Sequence, residues 1–287
     1  MTEIKTHQNG KQLRQAIRSG SFVDQTAGQA PHHLQGNVVI LPRIYAQDFL
    51  LYCLNNLKPC PLIGLGLPGD IHIPDLGDID IRTDVPRYRV FKDGEFDQEV
   101  EDIRSVWSDD MVTFVLGCSF TFEEALIDNG YPVRHIEQGS NVPMFITNIP
   151  TIPGGIFSGP LVVTMRSYRK EQIPAVFEIS SQFPHAHGTP IYWGDPSKIG
   201  IKDLQKPDYG DAVVVPQDEI PVFWACGVTP QAALAMAKPT ISITHAPGCM
   251  LVTDWTSVEA PKIQPSLISF EQSEMKPRQH PIDAAQL

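Results

Sequence analysis

The segment from residue 221 to 254 constrains the fold most, because two apolar runs flank one helix-forming stretch in it. The first run, 222–225, is typical of a buried strand and stops at Cys226. A helix is predicted to begin at Thr229, since threonine caps a first turn and the proline after it tolerates the first helical position. The second run ends at His245. The pattern predicts a βαβ-like unit with Cys226 at its strand-to-helix turn and His245 where its second strand ends.

An earlier segment has the same arrangement. An apolar run, 112–116, leads into Cys118, and Thr121 then opens a helix with a glutamate three residues on, as in a capping box. The two cysteines are 226 − 118 = 108 positions apart, and the same offset pairs Thr121 with Thr229. Either an internal duplication or two independent strand–helix units that share a cap explains this match.

Both cysteines are predicted at helix N-termini, where the partial positive charge of the helix favours a thiolate. Ligands gather at the carboxyl ends of strands in open α/β sheets, so we expect both turns on the same edge of one sheet. Backbone N–H groups there can hold a carboxylate or an oxyanion. Cys118 and Cys226 are therefore candidate catalytic residues, and Thr121 and Thr229 are candidate substrate-binding residues. The alternative is that both cysteines are small buried hydrophobic residues.

The histidines of the run His185-Ala-His187 lie two positions apart. On an extended segment both rings would lie on one face, and with His245 they could ligate a metal. The run has no third ligand at a standard spacing, so hydrogen-bonded loop histidines are the preferred interpretation and we expect neither a metal nor a cofactor. His187 and His245 are the candidates for general acid–base catalysis, and His185 is a candidate for substrate binding.

Residues 80–89 are dense in charge, with three arginines in eight positions. Arginine binds carboxylates through two parallel hydrogen bonds, so Arg82 and Arg87 are candidates for holding a substrate carboxylate. A network of aspartates and arginines at a sheet edge explains the run equally well. The Asp93-Gly94 pair that follows predicts a β-hairpin.

Composition limits the partners of this 287-residue chain. Its formal net charge is −11, from 22 basic and 33 acidic residues, which argues against nucleic acid and against an anionic membrane surface. No run approaches the length of a membrane span, and the polar start has no signal-peptide core. Five cysteines without paired spacing indicate a reducing compartment, so we expect a cytoplasmic protein. A homo-oligomer is compatible with all of this.

The domain organisation is predicted from the stretch 148–160, which holds three prolines and three glycines. Past it, a strand–helix–strand pattern suggests a smaller α+β domain of residues 150–215. Residues 1–149 and 216–287 would then form the main α/β domain, with a C-terminal tail from about residue 256.

Long matches identify a family that this sequence resembles. They include LGCSFTFEEAL (116–126), FPHAHGTPI (183–191), PVFWACGVTPQAAL (221–234) and ITHAPGCMLVTD (243–254). The sequence resembles the hydro-lyase family DUF1445, also called UPF0317. The resemblance implies a three-layer α/β domain joined to a smaller α+β domain. It also implies a relation to part of D-glutamate cyclase, which closes glutamate to 5-oxoproline with loss of water. No assigned catalytic residues come with it.

These observations leave three functional hypotheses. The first is a carbon–oxygen lyase acting on a small carboxylate, with D-glutamate cyclisation suggested by the resemblance. In it His245 or His187 transfers protons, and Arg82 or Arg87 holds the free carboxylate. The second is a cofactor-independent amino-acid racemase or epimerase that uses Cys118 and Cys226 on opposite faces of Cα. The third is a carboxylate-binding module without catalysis.

Overall fold

The fold is taken from a computed structural model, which describes His7 and residues 9–256. The predicted tail falls almost wholly on residues 257–287, outside the described part of the chain. In the described residues, no helix is long and apolar enough to cross a membrane.

Six α-helices and eleven β-strands are distinguished in the described chain. The helices are α1 (Gly10–Arg18), α2 (Arg43–Asn55), α3 (Phe120–Asp128), α4 (Arg134–Glu137), α5 (Ile173–Ser181) and α6 (Val228–Ala237). The strands are β1 (His33–Pro42), β2 (Leu62–Leu65), β3 (Tyr88–Lys92), β4 (Glu95–Val100), β5 (Met111–Gly117), β6 (Met144–Pro150), β7 (Pro160–Arg169), β8 (Tyr192–Trp193), β9 (Glu219–Ala225), β10 (Ile241–His245) and β11 (Leu251–Thr256).

The strands form two antiparallel sheets. The larger has seven strands in the order β2-β5-β1-β10-β3-β4, with β11 also paired to β1. The smaller has four strands in the order β6-β7-β9-β8. Every pairing is antiparallel. The Asp93-Gly94 hairpin joins β3 and β4, and both of its turn residues have positive φ, as a tight hairpin turn requires.

Helices cover the two sheets, which confirms the α/β class. α2 and α6 pack on one face of the larger sheet through Phe49, Leu234 and Phe114. α3 and α5 pack on the smaller sheet through Phe122 and Trp224 and their neighbours. Burial of these apolar side chains, about 25 cal/mol for each Å² removed from water, is the main force that holds the layers together.

The prediction of a βαβ-like unit at 221–254 is wrong. β9 belongs to the smaller sheet and β10 to the larger, so α6 connects two sheets. For the same reason Cys118, after β5, and Cys226, after β9, do not lie on one edge of one sheet. The tertiary pairing of each strand decides this, and apolar runs carry no information about it.

Both helices also begin earlier than their threonines predict. α3 begins at Phe120 and α6 at Val228, so Thr121 and Thr229 lie inside the first turns. The Thr229 hydroxyl bonds instead to the backbone N–H and carbonyl of Val162 in β7. It therefore ties α6 to the smaller sheet.

The smaller sheet spans residues 144–225, and thus uses strands on both sides of the segment 150–215. The division into a main and an inserted domain stays a prediction.

Gly117, the last residue of β5, allows the backbone at His185 to pack closely against the strand. A Cβ there would stand 1.6 Å from the carbonyl oxygen of His185. Gly117→Ala should lower the free energy of unfolding by roughly 1–3 kcal/mol, the usual cost of overpacking. Gly66→Ala is the matched control, since its Cβ would meet nothing closer than 3.4 Å. Denaturant unfolding of both variants tests this, and equal stabilities would contradict it.

Candidate active site

A cavity of about 270 Å³ lies between the two sheets. All four candidate catalytic side chains line it: Cys118, His187, Cys226 and His245. Its wall is completed by residues of both sheets and by the loops around Asn141 and Tyr209. The volume is close to the lower end of the range of small-molecule pockets, which suits a ligand the size of an amino acid.

The two cysteines reach this cavity through equivalent local structure. Cys118 stands between β5 and α3, and Cys226 between β9 and α6. Each sulfur accepts a hydrogen bond from the backbone N–H two residues on, which is Phe120 for Cys118 and Val228, at 3.4 Å, for Cys226. The strand–Cys–helix geometry predicted from the sequence is therefore present at both sites.

Burial, however, reverses the predicted thiolate character. It raises the pKa of Cys118 to about 12 and that of Cys226 to about 11, because a charged sulfur would lose its water. The N–H donors and the positive charge of Arg166 lower both values but do not offset burial. Both thiols are consequently protonated near neutral pH.

His187 has a neutral imidazole ring held in one orientation. It follows a turn of 3₁₀ helix, Pro184–Ala186, and takes the left-handed conformation with φ of 76°. Its Nδ1 lies 2.7 Å from the carbonyl oxygen of Lys58, which can only accept, so Nδ1 carries the proton. Nε2 then bears the lone pair and has no hydrogen-bond partner among the residues described. Burial lowers the pKa of His187 to about 4, which keeps the ring neutral near pH 7.

His245 is enclosed by fixed amides. Its Nδ1–H donates to the carbonyl oxygen of Ala246 at 2.8 Å, and its Nε2 lies 3.1 Å from Asn37 Oδ1 and 3.5 Å from Gln231 Nε2. Asn37 Nδ2 donates to two strand carbonyls, so Oδ1 must face the histidine. In the neutral ring, Nε2 can accept a hydrogen bond from Gln231. Only when the ring is protonated can Nε2–H donate to Asn37 Oδ1.

Burial lowers the pKa of His245 to about 4 as well. Asn37 therefore offsets part of the cost of placing a proton on this ring. The sequence analysis missed Asn37 and Gln231. A polar side chain directly before the apolar run 38–41 of β1 was the available signal for Asn37.

A buried ion-pair network stands behind the cavity. Arg166 of β7 and Glu123 of α3 are bonded to each other, and His135 Nε2 lies 3.4 Å from Glu123 Oε1. Burial alone would raise the pKa of Glu123, but Arg166 and His135 together hold it below its ordinary value. The guanidinium of Arg166 also lies 4.9 Å from the ring centre of Phe122 and 5.3 Å from that of Trp224. The sequence analysis missed this network, since nothing local marks its members as partners.

Three other candidates lie outside the cavity. His185 lies two residues before His187, which lines the cavity. Its segment is a turn of 3₁₀ helix and not an extended strand, so the rings of His185 and His187 do not share a face. Thr121 lines a separate neighbouring cavity of about 520 Å³. Thr229 is wholly buried in its contact with β7.

The predicted arginines are also elsewhere. Arg82 is paired with Asp80 at 2.8 Å, and Arg87 lies 3.7 Å from Glu99. Arg89, from the same run, lines the cavity, with its Nε donating to Glu99 at 3.0 Å. The strand register of β3 decides which arginine reaches the cavity.

No group of three or more His, Cys, Asp or Glu side chains is placed to hold a metal ion in the described part of the chain. The histidines His185, His187 and His245 are thus not assembled as a ligand set.

Comparison with known proteins gives the family. The family model for D-glutamate cyclase matches residues 112–254. A protein of Bordetella pertussis named "putative hydro-lyase" is 55% identical over 255 residues, which is 88% of this chain and 92% of the relative. A protein of the same name from Jannaschia sp. is 57% identical over 243 residues, 84% of this chain and 91% of the relative. This chain belongs to that hydro-lyase family.

The match to the family confirms the resemblance drawn from the sequence. The matched model region holds both cysteines and both cavity histidines, whereas Asn37 and Arg89 precede it. Among solved structures, a nitrogen repressor-like protein from Methanococcus jannaschii is 11% identical with a TM-score of 0.37, and covers 79% of this chain and 88% of that chain. So low a score carries no argument about this chain.

The two cavity histidines are expected to make the protein less stable in mild acid. Each has a folded-state pKa lowered from 6.5 to about 4, so the unfolded chain binds more protons between these values. Stability should therefore be fully present above pH 6.5 and fall as the pH drops towards 4. His187→Asn keeps a donor for Lys58 but does not titrate. Between pH 7 and pH 4 the variant should therefore lose less free energy of unfolding than the wild type does. The difference should reach about 3 kcal/mol at pH 4, at 1.36 kcal/mol for each pKa unit.

Urea unfolding of wild type and His187→Asn at a series of pH values measures this difference. His245→Asn, which keeps a donor for Ala246, provides the second comparison. Stability curves that stay parallel from pH 7 to pH 4 in both variants would contradict the assignment of neutral, buried rings.

Proposed function

We propose that this protein is a lyase that binds a small amino dicarboxylate between its two sheets and closes D-glutamate to 5-oxoproline. The observation that carries the proposal is one cavity lined by a neutral histidine with an open Nε2 and by two protonated thiols. Membership of the hydro-lyase family supports loss of water as the type of reaction.

In the proposed reaction the α-amine attacks the γ-carboxyl carbon. A C–N bond forms and the bond from that carbon to one oxygen breaks. The α-ammonium group loses two protons in all, one before and one after the attack, and the leaving carboxylate oxygen takes both of them to become water. His187 Nε2 is the proposed base that takes a proton from the amine and returns it to the leaving oxygen. The thiol groups of Cys118 and Cys226 are proposed to donate hydrogen bonds to the developing oxyanion. His245, held by Asn37, is the proposed second proton carrier.

Arg89 is proposed as the residue that attracts the substrate's charge. It lines the cavity and its side chain is 40% exposed, so it can meet a carboxylate that enters from solvent. All five cysteines are free thiols, which supports the proposal of a reducing cytoplasmic location.

A racemase is the second candidate, and one observation favours it. Cys118 and Cys226 approach the same cavity from different sheets, as two thiols on opposite faces of Cα would have to do. Such an enzyme needs one resting thiolate, and burial raises the pKa of both thiols. We therefore place the lyase first.

Incubation with D-glutamate and with L-glutamate in heavy water separates these functions. The lyase predicts 5-oxoproline without deuterium at Cα, and a loss of at least about a hundredfold in turnover for His187→Asn, the ordinary cost of removing a general base. Cys118→Ser and Cys226→Ser should keep measurable ring closure, because a hydroxyl still donates. Cys249→Ser, which alters a buried thiol outside the cavity, is the control.

The racemase predicts a different product, glutamate of inverted configuration with deuterium at Cα. If the wild type forms that product and neither serine variant does, the racemase is supported and the lyase is rejected. If neither product forms while small carboxylates still bind, the protein is a carboxylate-binding module.

A further inference from the structure

Two buried hydroxyl groups stand side by side in the cavity wall. Ser119 follows Cys118, and Thr164 lies in the middle of β7. Both line the cavity, and only 3% and 2% of their surfaces are exposed. Ser119 and Thr164 come from different layers of the fold and lie far apart in the sequence.

One guanidinium holds both of them. Arg166 Nη1 donates to Thr164 Oγ1 at 3.0 Å, and Nη2 donates to Ser119 Oγ at 3.1 Å. The Nε and Nη2 groups of this fully buried side chain also donate to Glu123. Since the guanidinium is planar and rigid, it fixes the positions of the two oxygens relative to each other.

The direction of these bonds determines what the hydroxyls can do. Arginine has donors but no acceptor, so each hydroxyl oxygen is the acceptor and its own hydrogen must point elsewhere. Within the described chain, neither hydroxyl donates a hydrogen bond of its own, and each accepts one from Arg166. Buried donors are nearly always paired, and leaving one unpaired costs about 1–3 kcal/mol. A ligand acceptor in the cavity would satisfy both.

The local charge favours an anionic acceptor. Arg166 lies directly behind the two oxygens, and its positive charge reaches the cavity, where it lowers the pKa of Cys226 against the effect of burial. Arg166 also polarises the hydroxyls that accept from it, which makes their hydrogens better donors. Two such donors in a fixed relative position can each donate to one oxygen of a carboxylate.

We propose that Ser119 and Thr164 form the subsite that binds the non-reacting carboxylate of the substrate, and that Arg166 is their positioning residue. The proposal rests on the proposed function only in naming this group as the substrate's. It explains why a buried arginine stands beside the cavity without lining it. It also gives Arg166 a role that the ion pair with Glu123 alone does not require.

Binding of glutarate, a dicarboxylate without an amine to react, tests the subsite by isothermal titration calorimetry. Ser119→Ala and Thr164→Val should each weaken glutarate binding by roughly tenfold or more, the worth of a hydrogen bond to a charged group. Binding of the uncharged glutaramide should change much less. Thr113→Val is the matched control, since it removes a buried threonine hydroxyl outside this cavity and should leave glutarate affinity unchanged.

Arg166→Lys separates positioning from structural support. It keeps the charge but not the fork, so the preference for glutarate over glutaramide should fall even in a variant that keeps its fold by circular dichroism. Unchanged glutarate affinity in both hydroxyl variants, or no glutarate binding by the wild type, would overturn the subsite.

The outcomes separate the two proposals. Weakened glutarate binding in the variants of a protein that does not cyclise D-glutamate keeps the subsite and removes the proposed reaction. Cyclisation with an unchanged KM in both variants keeps the reaction and removes the subsite.

Discussion

The site depends on the buried pair of Arg166 and Glu123. An isolated charge in this position would cost several kcal/mol, so each side chain requires the other. Because Arg166 belongs to β7 and Glu123 to α3, the pair joins the smaller sheet to the helix that follows the larger sheet's β5. Ser119 and Cys118 stand at the start of that helix. The pair therefore holds together the two sheets' contributions to one cavity.

Burial also determines the chemistry of that cavity. The same loss of solvation keeps the thiols of Cys118 and Cys226 protonated and the rings of His187 and His245 neutral. The four candidate catalytic groups of this site therefore start without charge. Charge would enter with the ligand of the proposed function, and the fixed amides and hydroxyls of the wall could receive it through hydrogen bonds.

The two cysteine units show how far a local repeat extends. Both have a strand, a cysteine with an N–H bonded to its sulfur, and a helix of nine or ten residues. Beyond the helices they differ, since α3 leads to the short helix with His135, and α6 leads to β10 and His245. His135 pairs with Glu123, whereas His245 lines the cavity. The structure thus repeats the turn but not the histidine that follows it.

The sequence by itself determined the elements and the family. Apolar runs and turn residues located β5, β9, α3, α6 and the Asp93-Gly94 hairpin, because these signals act over a few neighbouring residues. Only the tertiary structure decided which side chains meet. It brought Arg89 and not Arg82 to the cavity, separated His185 from His187, and added Asn37 from β1. It placed Arg166 against Ser119 and Thr164. Those outcomes depend on strand pairing and layer packing between residues far apart in the chain, and no local pattern of residues carries that information.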